Sequence, residues 1–123
     1  MDEQLAANGL KPMAGIEHSG ANSPESCLLG GTITDLPAQV DAANPETYIN
    51  RNLPPFLIQH GSIDATVPVQ QSMELAQKIK TMCGEEYVML DVFEGFGHAD
   101  CRFESPLNVT RVLDFLDQHL KRS

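Results

Sequence analysis

Two short segments of this 123-residue chain carry side chains that can do chemistry together. The first, His60-Gly61-Ser62-Ile63-Asp64-Ala65-Thr66-Val67-Pro68, puts a carboxylate a few residues past an apolar run. The second, Glu94-Gly95-Phe96-Gly97-His98-Ala99-Asp100, puts an imidazole between small residues after another such run. A carboxylate that accepts a hydrogen bond from an imidazole fixes the ring tautomer and stabilises the charge gained when the ring takes a proton. A general base needs that arrangement. In parallel α/β sheets, sites form just beyond the C-terminal ends of strands, so Asp64 and His98 can face each other only if the two runs are neighbouring parallel strands.

The elements that must position them are legible from the pattern. Pro54-Pro55 stiffens the approach to Phe56-Leu57-Ile58-Gln59-His60, a brief apolar run ended by Gly61 that suits a buried, central parallel strand. After Pro68 the period becomes helical, with Val69, Met73, Ala76, Ile79 and Lys80, and Cys83 before Gly84, keeping one face largely apolar and Gly84 as the stop. Glu86 to Phe93 is rich in β-branched and aromatic residues and reads as the second strand. Ser105 then caps a helix with Pro106 at its first position. Val109, Val112, Leu113, Leu116 and Leu120 form its apolar stripe, and His119, Lys121 and Arg122 lie at its end, where the helix dipole favours cations.

Upstream, the chain changes character near residue 53. Residues 1–34 hold Asn8-Gly9, Pro12, Gly15, Gly20, Pro24 and Gly30-Gly31, so dense in breakers that only Met1 to Ala7 is expected to make a helical turn or two. Asp35 is the expected cap of a short helix through Ala43, ended by Asn44-Pro45. Strand, helix, strand, helix gives an α/β class with parallel pairing. Two strands make too small a sheet to stand alone, because a parallel pair needs both faces covered and neighbours at its edges. The expected organisation is thus one partial domain: residues 1–52 a loop-rich cap or connecting region with short helices, residues 53–123 a strand-helix-strand-helix unit bearing the acid and the histidine.

The segment His60 to Pro68 resembles the H-G-x-x-D-x-x-V-P segment of α/β-hydrolase esterases, and Gly95-Phe96-Gly97-His98 resembles their G-x-G-H segment. The stretches Ser23 to Gly31 and Ala43 to Ile49 are similar to those preceding the acid in bacterial esterases related to feruloyl and acetyl-xylan esterases. The resemblance covers nearly the whole chain. It implies that Asp64 is the acid and His98 the base of a catalytic triad, that the two strands are the last two of the sheet, and that the loop of residues 9–34 helps line an acyl pocket. A small acyl ester is the implied substrate, with no metal or organic cofactor. The catalytic domain of prolyl-oligopeptidase-type serine peptidases ends in similar segments and is the alternative.

The nucleophile is where the chain departs from the family. An α/β-hydrolase carries it in G-x-S-x-G upstream of these elements. None of the seven serines, and none of the cysteines, has those flanking glycines. The chain is therefore expected to supply the acid and the histidine alone and to be inactive in isolation. It is read either as the C-terminal portion of a larger enzyme, lacking the N-terminal half, or as a non-catalytic homo-oligomer that covers its open sheet edge.

Composition limits the partners. Lys and Arg number 8 against 17 Asp and Glu, a net charge of −9 that argues against a phosphate-backbone ligand such as nucleic acid. No apolar stretch approaches the length of a membrane span, and the acidic Met1-Asp2-Glu3 is unlike a signal peptide, so a cytoplasmic location is the default expectation. Cys27, Cys83 and Cys101 form no C-x-x-C pair and are read as free buried thiols. His60 is expected to bond within the sheet edge, His18 and His119 to be exposed, and Asp100 to diverge from His98. Phe103 and Cys101 are expected to pack beneath the second loop.

Overall fold

The sheet is built from two runs whose side chains alternate between covering helices. The computed structural model of the chain describes residues 1–11 and 17–120. Pro12 and Gly15, read above as breakers, and Lys121 and Arg122, read as helix-end cations, lie outside the described residues. β1 (Phe56–Gly61) and β2 (Val88–Phe93) pair in parallel, from Phe56 opposite Val88 to Gly61 opposite Phe93. Among the described residues β1 pairs on one side only, with β2, and its other edge is open. β2 starts two residues later than the pattern implied, because Glu85–Tyr87 makes a turn of 3-10 helix first.

Parallel pairing requires a crossover, and α4 (Val69–Cys83) supplies it. It covers the face to which His60 points, with Ala76 and Ile79 buried. Gly84, at φ 120°, ends it. α5 (Pro106–Leu120) lies on the opposite face. There Gln59 and Asn108 exchange hydrogen bonds of 2.7 and 2.9 Å, and Asp91 holds Arg111 through two of 2.8 Å. The Ser105 hydroxyl accepts the Asn108 N–H at 3.4 Å, as the cap pattern predicted.

The apolar stripe of α5 does not cover a core. Val109, Leu113, Leu116 and Leu120 are all exposed, as is Met73 on α4. Geometry explains this: Asn108 and Arg111 take the row facing the sheet, and Val109 and Leu113 lie about 100° and about 140° round the helix from Asn108. They border an open groove of about 390 Å³ with Gln59, Phe103 and Val112, between β1 and α5.

The upstream region is more helical than its breakers suggest. α1 (Asp2–Ala7) is the opening helix, with Leu5 fully buried. It is tied to α4 through Gln4 to Glu74 and Gln71 and through Asn8 to Gln70. α2 (Pro24–Leu29) corrects the reading of residues 1–34 as loop: Ser23 accepts the Ser26 N–H as N-cap, Pro24 takes the first position, and Gly30 closes it at φ 79°. Breakers placed at the two ends of a helix are caps, so their positions, not their density, set the local structure. α3 (Pro37–Ala43) begins at Pro37 with Leu36 at its N-cap; Asp35 instead ends a 3-10 turn and caps nothing.

Candidate active site

Asp64 and His98 come from the loops after β1 and β2, and three contacts bring those loops together. The Ser62 N–H donates to the Phe93 carbonyl at 2.9 Å and the Ile63 N–H to the Phe96 carbonyl at 3.1 Å. The Gly95 N–H donates to the Ser62 hydroxyl oxygen at 2.9 Å. The close approach depends on Gly61, since a Cβ there would lie 2.2 Å from the Phe96 carbonyl oxygen.

The Asp64 side chain is buried, and both its oxygens are used. Oδ1 accepts the N–H groups of Thr66 and Val67, each at 2.8 Å, in a turn closed by its own side chain. Oδ2 accepts from His98 Nδ1 at 2.9 Å. Burial pushes the Asp64 carboxyl up, but the Val67 N–H, the His98 ring and the Thr66 N–H together outweigh it, and the group sits below the usual carboxylate range. An ionised carboxylate only accepts, so Nδ1 carries the proton and Nε2 keeps its lone pair. His98 is 43% exposed, and its Nε2 has no hydrogen-bond partner among the described residues. A buried acid holding an exposed ring whose free nitrogen can accept a proton is an acid–base pair.

The loop bearing His98 is braced from behind. Phe93, Phe96 and Phe103 pack in mutual contact, with ring centroids 5.0 to 5.5 Å apart. The Arg102 guanidinium lies 3.9 Å over the Phe96 ring and donates to Asp100 and to the Gly95 carbonyl. Asp100 also accepts the Gly97 N–H at 3.3 Å. Arg102 holds the Asp100 carboxyl far below the usual range. Asp100 thus turns away from His98, as expected, while Phe103 packs under the loop and Cys101 is exposed.

The three thiols and two of the histidines depart from the sequence expectations. Cys27 and Cys101 are exposed and Cys83 is half-buried, so none is a fully buried thiol. His60 does not bond within the sheet edge: its Nδ1 pairs with the Ser72 hydroxyl at 2.7 Å and its Nε2 with the Val67 carbonyl at 2.8 Å, beside the Asp64 carboxylate at 3.4 Å. His18, expected to be exposed, is buried, with Nδ1 on Glu25 at 2.7 Å and Nε2 on the Thr66 carbonyl at 2.6 Å. No local pattern announces either role, because their partners come from distant elements. His119 is exposed and packs on Phe115.

Every described serine has structural work. Ser19 binds Asp2, Ser23 and Ser26 accept backbone N–H groups at α2, and Ser62 holds Gly95. Ser72 holds His60 and Ser105 caps α5. Among the described residues no three His, Cys, Asp or Glu side chains gather as metal ligands would, and no helix is long and apolar enough to cross a membrane.

A family model described as BD-FAE matches residues 5–79, a span that includes Asp64 and stops short of His98. Esterase LipC of Mycobacterium tuberculosis (strain ATCC 25618 / H37Rv) is 31% identical over 74 residues, covering 60% of this chain and 18% of that protein. The solved structure of a thermophilic esterase from the Planctomycetes species Thermogutta terrifontis, Est2 with butyrate bound, is similar at a TM-score of 0.54 and 26% identity. That match covers 85% of this chain and 38% of the other. The chain spans well under half the length of either relative.

Proposed function

The chain belongs to the BD-FAE family and is of the α/β-hydrolase esterase type, and we propose from this premise that it carries the acid and the general base of a serine-type carboxylic-ester hydrolase. The observation that carries the proposal is the Asp64–His98 pair, with Nε2 left free. In this reading a serine hydroxyl from another part of the enzyme gives its proton to His98 Nε2 as it attacks the ester carbonyl. Asp64 holds the ring in the required tautomer and stabilises the imidazolium. His98 then returns the proton to the leaving alcohol, and water repeats the cycle on the acyl-enzyme.

The serine and the oxyanion-binding N–H groups come from outside these residues. The absence of G-x-S-x-G and the structural engagement of each described serine support this. So do the unpaired outer edges of the two-stranded sheet, where further strands of a complete sheet would pack, and the open groove between β1 and α5. The family and both relatives support an ester over a peptide as substrate.

The test is to extend the reading frame upstream of the Met1 codon, express the joined protein and assay small acyl esters. The expected result is a G-x-S-x-G segment following an apolar strand, hydrolysis by the joined protein, loss of it in His98→Ala, and none by residues 1–123 alone. Robust hydrolysis by residues 1–123, or a joined protein indifferent to His98→Ala, overturns the proposal.

A further inference from the structure

The buried His18 takes no part in the proton transfers described above, yet it touches the acid loop from the far side. The loop's 66–67 peptide group has two ends: its N–H, on Val67, donates to Asp64 Oδ1, and its carbonyl, on Thr66, accepts from His18 Nε2. A hydrogen bond to the carbonyl polarises the peptide and strengthens the bond its N–H makes. His18, this peptide, Asp64 and His98 thus form one continuous chain of hydrogen bonds.

The partners of His18 also constrain its protons. Nδ1 faces the Glu25 carboxyl at 2.7 Å and Nε2 faces a carbonyl at 2.6 Å. A neutral imidazole has one N–H and one lone pair, and neither a carboxylate nor a carbonyl can donate to the lone pair. Both bonds are made only if the pair holds one more proton, as imidazolium with carboxylate or as imidazole with carboxylic acid. Glu25 Oε2 is buried with no hydrogen-bond partner, which makes an uncompensated charge there costly. The groups around His18 are Glu25 from α2, Asp2 from α1, whose carboxylate accepts the His18 and Ser19 N–H groups, and Asp64 behind the peptide. All three are acidic, and the same three groups surround the ring in the folded chain.

We propose that His18 is a positioning residue for Asp64, fastening the N-terminal segment to the acid loop through a proton shared with Glu25. The proposal rests on Asp64 being the triad acid, but its test needs no nucleophile. As pH rises and the shared proton leaves, a lone pair faces either Thr66 or Glu25, and the fastening weakens. Glu25→Gln removes that dependence, because an amide can donate to Nδ1 while a neutral ring donates to Thr66.

The experiment is hydrogen exchange by NMR on the full chain, with His18 titrated through its ring shifts. Protection factors, corrected for intrinsic rate, are compared at Val67 and at the core amide of Ile79. In the unsubstituted chain, Val67 protection is expected to fall about tenfold as His18 loses its proton, while Ile79 is unchanged. Glu25→Gln is expected to hold Val67 protection level across the same range, and His18→Phe to keep it low throughout. Protection at Val67 that is absent or flat in the unsubstituted chain, or that falls equally in Glu25→Gln, overturns the proposal. Hydrolysis by the joined protein decides the triad reading separately.

Discussion

Asp64 and His98, 34 residues apart in sequence, meet at 2.9 Å between Oδ2 and Nδ1, with the acid buried and the ring exposed. Burial keeps water from competing for the carboxylate, and exposure leaves Nε2 accessible. The bond fixes which nitrogen holds the proton, and that sets the first prediction. Asp64→Asn can present an amide N–H to Nδ1, which moves the ring proton to Nε2 and removes the base. In the joined protein kcat is expected to fall by about 10⁴-fold with the fold retained. Steady-state kinetics alongside circular dichroism checks it, and a loss under tenfold would count against the triad role.

Gly61 gives a steric prediction. Adding a methyl group at 2.2 Å from the Phe96 carbonyl oxygen, 2.6 Å from its carbon and 2.9 Å from the Gly97 oxygen leaves no room without moving the His98 loop. The obstacle is backbone, which cannot swing aside as a side chain could. Gly61→Ala is expected to destabilise by about 1–3 kcal/mol. Urea unfolding checks the magnitude, and loss of Ile63 amide protection locates it at the seam between the loops.

These two positions also show what a sequence can carry. The strands, α4, α5 and the Asp64 and His98 loops are legible because each is written locally: an apolar run, a 3.6-residue period, a Ser-Pro start, a polar residue among glycines and other small residues just past a strand. Gly61 was read as a strand terminator, whereas its larger role is to admit a backbone from 35 residues away. His18 and His60 were misread for the same reason, since their partners are a carboxyl on α2, a hydroxyl on α4 and loop carbonyls. Ser23-Pro24 and Gly30 spelled out α2, but breakers read as a density hid the order that made them caps. The stripe on α5 was legible as apolar; where it faces depended on which row Gln59 and Asp91 engage.

Arg102 separates stability from positioning. Its guanidinium grips Asp100 and the Gly95 carbonyl and stacks on Phe96, all within the loop that carries His98. The site is open to solvent, so its loss changes global stability little. Arg102→Lys keeps the charge but loses the fork and the stacking surface. In the joined protein it is expected to lower kcat on the order of tenfold with KM nearly unchanged, as a misplaced base would. An equal change in KM would point to substrate contact instead.

The open stripe of α5 predicts an inversion of the usual core rule. In residues 1–123, Leu113→Gln and Leu116→Gln are expected to change stability by no more than about 0.5 kcal/mol, because both leucines are exposed. Ile79→Ala, at a fully buried position, is expected to cost about 2–5 kcal/mol. In the joined protein Leu113→Gln is expected to become destabilising, since the groove that Leu113 lines would be filled.

Acid sensitivity follows from the carboxylates. Asp64 is held below the usual 3.8 by the Val67, His98 and Thr66 hydrogen bonds against the opposing effect of burial; Arg111 lowers Asp91, and the His18 N–H lowers Asp2. A group whose folded-state pKa lies below its unfolded value adds stability that is fully present above the unfolded value and lost as pH falls through the folded one. The chain is therefore expected to lose stability from about pH 4 downward. Asp64→Asn should be less stable near neutrality, because it forfeits the charge-assisted bonds, yet lose less on acidification, because its amide does not titrate. Urea midpoints measured from neutral to acidic pH should converge for the two proteins. Parallel curves would mean that Asp64 titrates alike in the folded and unfolded chain, and that its buried hydrogen bonds do not favour the ionised form.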